Sequence, residues 1–449
     1  MRGSARRVRA VAAAVVALAA LVALDVVAIG NASAPAVRHV VLISLDGLRP
    51  EFYLDDRSGI PRLRALAGAG TSARAAEAVF PSVTYPGHAS IVTGVRPDRH
   101  GIHFNVIFDP RSGRSRWYEE ATDLRAPPLW DWARAAGRTT AAVAWPVTLG
   151  ARIDWLVAER DYYARPDPLP LLLAASTPGL FERLGVTPSP EMFKDVVRWD
   201  EFLTATASAI LRTGKPNLLL LHLVQLDYFQ HRGGRAATEL AAAFGRIDQH
   251  LGALQSALRD AGIADRTAIV VVGDHGFQDV SRTVFPNEVL ARAGLGGCPW
   301  SDPAYRATAH VTGGSAGVFV NPPGDADARV RAEAALRAAA KDRYTVLTRA
   351  ELDALGAMPG AALGLEGAPG YMVSGSCGRG LTGSGKGGAH GYLPSRPSMA
   401  TGFVAAGAGL RAGVVLDRVR LIDVAPTVAR LLGVPAPEVD GRVLQEALK

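Results

Sequence analysis

This 449-residue chain has few lysines and few cysteines. Five Lys occur, at 194, 215, 341, 386 and 449, so 44 of the 49 basic residues are Arg. The formal charge of +7 invites a nucleic-acid reading, which the distribution of charge weakens. Residues 1–34 hold four Arg against one Asp; without them 45 basic and 41 acidic residues remain, or +4. No basic stripe interleaves with aromatics, so sequence-specific nucleic-acid binding is not expected. The Arg bias accompanies abundant Ala, Gly and Pro, as a skew in genome composition would produce. Cys298 and Cys377 are the two cysteines, enough for one disulfide in an oxidising compartment or for two unpaired thiols. The chain has no internal repeats and no long linker. With 48% hydrophobic and 20% charged residues it can bury a large core and is not a disordered chain.

The N-terminus has the pattern of a targeting segment. Arg2, Arg6, Arg7 and Arg9 precede an apolar run from Ala10 to Leu24, and Ala32-Ser33-Ala34 offers a small-residue cleavage site. Pro35 after that cut is unfavourable for cleavage. Residues 10–29, although interrupted by Asp25, are about long enough to span a bilayer. Residues 1–34 are therefore a signal peptide or an uncleaved anchor, and both alternatives put residues 35–449 outside the cytoplasm. The sequence carries no signal for an oligomeric state.

Three short apolar runs end in acids. Arg38–Leu45 leads to Asp46-Gly47, Asn217–Leu226 to Asp227, and Thr267–Val272 to Gly273-Asp274-His275-Gly276. Each reads as a buried strand followed by a turn. Residues 141–147 read as a further strand, and 61–69, 236–261, 328–341 and 423–432 as helices. Such alternation predicts an α/β fold with a mostly parallel sheet covered on both faces. Functional groups of such sheets collect beyond the carboxyl ends of the strands, where all three acids fall. Residues 100–125 and 160–200 read as surface loops or a cap. The looser stretch 296–395 reads as an excursion that returns His390 to the sheet edge.

Asp227 and His231 are four apart, so a helical turn puts both on one face. Carboxylate oxygen and imidazole nitrogen suit zinc. Asp274 and His275 on one turn can point at the same ion, with flanking glycines relieving the backbone. His390 lies in a Gly-rich loop, Gly387-Gly388-Ala389-His390-Gly391. Each element has a plainer reading: an Asx turn, a turn Asp beside a surface His, a loop histidine. Thr84 leads into a helix at Ala89–Val95, where N–H groups favour an anion, although Ser82 or Thr84 could also be an ordinary N-cap. A hydroxyl at such a place becomes a nucleophile when a base or metal deprotonates it. Asp248 reads as an exposed helix position and Asp423 as a helix start.

The segments VVLISLDGLRP, FPSVTYPGHASIVTG, RPDRHGIHFN, LDYFQH, VVVGDHG and GGAHGY, spread over residues 40–392, resemble the nucleotide pyrophosphatase/phosphodiesterase family of the alkaline phosphatase superfamily. LIDVAPTVARLLG is similar to the superfamily's closing helix. The resemblance implies the three-layer alkaline-phosphatase-like fold and two Zn2+: one on Asp46, Thr84, Asp274 and His275, the other on Asp227, His231 and His390. It implies Thr84 as nucleophile, forming a phosphothreonine. Asn105 is implied as donor to a non-bridging phosphoryl oxygen. His39, His88, His100, His222, His250 and His310 receive no metal role. Gly87 stands where the family more often has Asn, and His103-Phe104 precede Asn105 where other residues are usual. Tyr85 follows the nucleophile where nucleotide-cleaving members often carry Phe; it could stack on a base or pack against its own loop. The expected activity is hydrolysis of a small-molecule phosphodiester or nucleotide. A monoesterase or phosphonate hydrolase is the nearest rival, and a non-catalytic surface-tethered binding protein the rival of another class.

Overall fold

The Leu218–Leu223 strand has six residues, all buried, as expected where a parallel strand is covered on both faces. The computed structural model describes residues 37–55, 59–162, 165–298 and 304–449. Its main sheet has eight strands, in the spatial order Val414–Leu416, Thr71–Ala73, Phe403–Gly407, Thr267–Val272, His39–Leu45, Leu218–Leu223, Thr140–Val143, Trp155–Val157. Phe403–Gly407 runs antiparallel to both of its neighbours; the other pairings are parallel. Alternation along the central strands splits the core. Val41, Ile43, Leu219, Leu221 and Val271 face the helices Pro61–Ala69, Val196–Thr213 and Leu240–Asp260. Val40, Leu42, Leu218, Leu220 and Val270 face Leu129–Ala135 and Val424–Leu432. This is the expected three-layer α/β architecture.

The differences from the sequence reading are local. The 141–147 strand is shorter, Thr140–Val143, because Ala144 and Val147 turn to φ +52° and +59°. Residues 160–200 are less irregular than read: they contain the helices Pro168–Ala175 and Leu180–Leu184 and the start of Val196–Thr213. Ser208, Thr206, Thr204 and Asp200 lie on the buried side of that last helix and blur its apolar stripe. The excursion before His390 has its own antiparallel sheet, ordered Ala307–Thr312, Ser315–Val320, Leu363–Gly367, Tyr344–Leu347. Helix Ala326–Ala340 packs on it around Val318, Leu336 and Leu365. Cys298 and Cys377 are bridged, their Cα atoms 6.5 Å apart. Asp248 is buried rather than exposed, since Arg62 covers it and donates its backbone N–H to Oδ1 at 2.7 Å. Val37–Lys449 packs as one unit. The targeting segment at 1–34 lies outside the described residues; among those described, no helix is long and apolar enough to cross a membrane.

Candidate active site

Register brings the three acidic turns together. Ser44 stands beside His222 on one side and Val272 on the other, so residues 46, 227 and 274 leave the sheet at the same edge. Gly47, at φ +69°, makes the turn after Asp46, and its N–H donates to Asp274 Oδ1 at 3.0 Å, tying two of the turns together. Asp227 and His231 sit one turn apart on the helix Gln225–Gly233, with Nε2 of His231 3.3 Å from Asp227 Oδ1. Asp200, from the neighbouring helix, holds the start of that helix. Its carboxylate accepts the N–H groups of Val224 and Gln225 at 3.0 and 3.1 Å, the role of an N-cap supplied from elsewhere in the chain.

His390 reaches the site through the Gly-rich loop. Gly388–Ala389 pairs with Gln278–Asp279. A side chain at Gly387 would overlap the carbonyl oxygen of His231, which explains a glycine there on packing grounds. Thr84 is half-buried at the first position of helix Thr84–Thr93, with Val83 as N-cap. The helix therefore starts five residues earlier than read, and Thr84 itself carries one of its free N–H groups. Asn105 accepts the Tyr85 N–H on Oδ1 at 3.0 Å, leaving its NH2 as the donor group.

The ligand candidates fall into two groups: Asp46, Asp274 and His275, and Asp227, His231 and His390. In the first, His275 Nε2 lies 3.3 Å from Asp46 Oδ1 and 3.2 Å from Asp274 Oδ2. In the second, His390 Nε2 lies 3.1 Å from His231 Nε2 and 3.6 Å from Asp227 Oδ1. The His275 and His390 rings stack at 3.5 Å between the groups. The far nitrogen of each ligand histidine faces a carbonyl: His231 Nδ1 that of Gly388 at 3.0 Å, His390 Nδ1 that of Ser82 at 3.1 Å, His275 Nδ1 that of Gly276 at 3.2 Å. Donating there leaves each Nε2 with its lone pair turned inward, the usual support of metal-binding imidazoles. Asp46 Oδ1, Asp227 Oδ1, Asp274 Oδ2 and His275 Nε2 are buried without a hydrogen-bond partner. Buried acceptors left unpaired are costly, and a cation in each group would satisfy all four. The donor set thus fits divalent zinc in both groups.

Electrostatics agree with that fit. Burial pushes the Asp46 and Asp274 carboxyls well above the ordinary range, helped by the charge of Asp227 on the first and of Asp46 on the second. Burial also pushes His275 well below its ordinary value and His390 down to about 4, and each receives further lowering from a neighbouring histidine. Asp227 goes the other way: burial opposes its ionisation, but His231, His390 and His275 together outweigh burial. His275 and His390 poised neutral, and Asp46 and Asp274 awaiting a positive charge, suit a dication. His231, held above its ordinary value because Asp227 outweighs burial, would release a proton when one binds.

A cavity of about 360 Å³ opens over these groups; Thr84, Asn105, Asp46, Asp227, His231 and His390 form its floor. Its outer wall has Trp117 and Tyr228, both exposed, with Glu159, Arg160, Asp161 and Trp199. Burial raises the Glu159 carboxyl to about 7. Tyr85 touches the cavity but is 3% exposed and packs among Ala89, Ile102 and Tyr118, its ring 5.3 Å from Trp117. Trp117 and Tyr228 therefore present the open aromatic surface, and neither carries a sequence signal that singles it out. His222, given no metal role from sequence, is not among the ligand candidates, but its Nε2 lies 3.0 Å from Asp46 Oδ2. A histidine inside an otherwise all-Leu strand was the available signal, since a buried imidazole needs partners.

Residues 40–392 match the family described as type I phosphodiesterase / nucleotide pyrophosphatase. Human ectonucleotide pyrophosphatase/phosphodiesterase family member 1 is 26% identical over 264 residues, 56% of this chain and 25% of that protein. Venom phosphodiesterase 2 of Crotalus adamanteus is 24% identical over 249 residues, 54% of this chain and 27% of that one. The chain thus spans about a quarter of the length of these curated relatives. Among solved structures, human ectonucleotide pyrophosphatase/phosphodiesterase 5 superposes with a TM-score of 0.70 at 20% identity, covering 92% of this chain and 100% of that one. An inactive threonine-to-alanine variant of the murine protein, in complex with AMP, superposes with the same score, identity and coverage.

Proposed function

The chain belongs to the type I phosphodiesterase / nucleotide pyrophosphatase family, and from this we propose that it is an extracytoplasmic zinc-dependent hydrolase of phosphodiester or phosphoanhydride bonds. The observation that carries the reading is the set of four unpartnered buried atoms, in two ligand groups, beneath the cavity that Thr84 and Asn105 share. Asp46, Asp274, His275 and Thr84 would hold one Zn2+, and Asp227, His231 and His390 the other. Two such ions supply positive charge that favours a deprotonated hydroxyl and neutralises oxygens on phosphorus.

The chain's own residues do the rest. Thr84 Oγ attacks phosphorus in line and releases its proton to solvent, while the bond to the leaving oxygen breaks and that oxygen takes a proton from solvent. The Asn105 NH2 and the Thr84 N–H donate to the non-bridging oxygens, where charge builds in the transition state. Water then attacks the phosphothreonine and restores Thr84. The stacked His275 and His390 rings and the buried Asp274 keep water out below the reacting centre.

Charge on the wall favours diesters over monoesters. A monoester dianion would want a free Arg or Lys at its third oxygen. Among the described lining residues the one Arg or Lys is Arg160, and Glu119 engages it at 3.0 Å. Arg99 is turned away to Asp440 at 2.6 Å, and Arg96 to the Ala354 carbonyl at 3.0 Å. Trp117 and Tyr228 provide aromatic surface for a second organic group, a base included, in keeping with AMP on the murine relative. The Cys298–Cys377 bridge supports an oxidising compartment. Residues 1–34 would deliver the chain there, either cleaved or retained as a membrane tether.

Thr84→Ala tests the reading. Turnover of an aryl phosphodiester should fall at least about a thousandfold, with both zinc ions still bound by elemental analysis and phosphothreonine trapped only in the parent protein. Near-normal rates would make direct water attack the better mechanism. A zinc-loaded parent that turns over neither diesters nor monoesters would instead be a binding protein on this fold.

A further inference from the structure

The strand Leu218–Leu223 reads LLLLHL, and His222 is its one polar side chain. It is 2% exposed, so both ring nitrogens need partners within the protein. Both face acceptors: Nε2 lies 3.0 Å from Asp46 Oδ2 and Nδ1 3.2 Å from the carbonyl oxygen of Ala144, so bonding both at once takes an N–H on each nitrogen. The Asp46 carboxylate is thereby divided. Its Oδ2 is held by the imidazole, while Oδ1 has no hydrogen bond and faces His275 at 3.3 Å. Ala144 sits at φ +52°, a conformation that a residue with a Cβ rarely adopts. Its N–H is fixed by the Val157 carbonyl at 2.8 Å, and it is buried. Strain of this kind persists where the surroundings over-determine it and gathers at functional sites. The plane of His222 is braced as well: the His88 ring lies 4.2 Å away, and the Trp145 ring closes on His88 at 4.9 Å.

We propose that His222 is a positioning residue for Asp46: anchored on the Ala144 carbonyl, it holds Oδ2 so that Oδ1 alone is presented to the ion shared with Asp274 and His275. The physical need is clear. The terminal torsion of an aspartate is soft and broad, and β-strand packing at Leu45 fixes only where the side chain starts. With one oxygen tied, the carboxylate offers a single ligand atom in a fixed direction. With neither tied, it must be ordered at the moment of binding, which lowers affinity. The inference rests on the metal assignment above and deepens it by one residue.

Zinc affinity of the full chain reads this directly, by competition against a chromophoric chelator with no substrate present. His222→Ala should weaken one of the two zinc ions by about 10- to 100-fold, leaving the ion on Asp227, His231 and His390 nearly unchanged. His222→Gln places an amide N–H near the position of Nε2 and should recover most of the loss. His222→Asn reaches only the position of Nδ1 and should resemble Ala. If the Ala variant does not fold, the contrast of Gln with Asn carries the test. Parent-like affinity in the Ala variant, or equal affinities in Gln and Asn, would overturn the proposal. A parent chain that binds no zinc would remove the metal assignment and this inference together. A parent that binds two ions without cleaving any diester would overturn only the proposed activity, and the affinities would still decide the role of His222.

Discussion

Chelation should lower the melting temperature of this protein, and by more at pH 8 than at pH 6.5. A ligand present at about a thousand times its dissociation constant stabilises the folded state by about 4 kcal/mol, so two zinc ions contribute about 8. Unfolding entropy is about 2.1 cal/mol/K per residue. For the unit Val37–Lys449, roughly 400 residues, that is near 0.9 kcal/mol/K, and the expected shift is roughly 9 °C. The pH dependence follows from the apo site. Burial raises the folded-state values of Asp46 and Asp274, so the apo protein binds protons there that the unfolded chain releases near pH 4. The stability these groups contribute is complete below that value and is lost as pH rises through their raised values. His275 and His390 are lowered, so they act in the opposite sense, but only below the unfolded histidine value near 6.5. His231 is held above its ordinary value because Asp227 outweighs burial, so its contribution too is lost as pH rises above 6.5, in the same sense as the carboxylates. Glu159, raised to about 7, titrates in the same range. It lines the same cavity as the ligand candidates, where bound dications would lower it, so it widens the difference in the same sense. Scanning calorimetry of zinc-loaded and chelated protein at pH 6.5, 7.25 and 8 measures that difference. A gap that narrows towards pH 8, or a shift under about 2 °C throughout, would refute the reasoning.

An aryl phosphodiester should show a higher kcat/KM than the matching monoester. Trp117→Ala should lower kcat/KM for base-containing diesters more than for small ones, while Tyr85→Ala, which empties a buried position, should lower thermal stability as well; a clear monoester preference would contradict the wall charges. Replacing Cys298 and Cys377 together with Ser opens a loop closed over 79 residues and should cost roughly 4.5 kcal/mol on chain-entropy grounds, read as a melting temperature several degrees lower. Two alkylatable thiols in the unreduced parent would rule the bridge out in solution.

The central strands could be read from sequence because burial on both faces demands near-continuous apolar runs, and RHVVLISL, NLLLLHLVQL and TAIVVV are such runs. The six Asp and His candidates could be singled out because zinc admits few ligand types, although each had a plainer reading and only the family resemblance joined them into two groups. Position before a helix left Thr84 and Ser82 both open, and the resemblance singled out Thr84. Other features depend on contacts far apart in the chain. Helix Val196–Thr213 was hidden because its buried side carries Asp200, which is there to cap another helix. Asp248 could not be known as buried until Arg62 came across from a helix 186 residues away. The four-stranded sheet within residues 307–367 was obscured by Ala- and Gly-rich strands whose pattern is weak. Tyr85 lost its open face to Trp117, 32 positions later, and Asp46 gained His222 only through strand register. Sequence by itself nominated the groups proposed to hold metal and attack phosphorus. Only the tertiary structure decided which of their atoms remain unpartnered, because hydrogen bonding is satisfied or left open by neighbours that strand order and packing bring in from elsewhere.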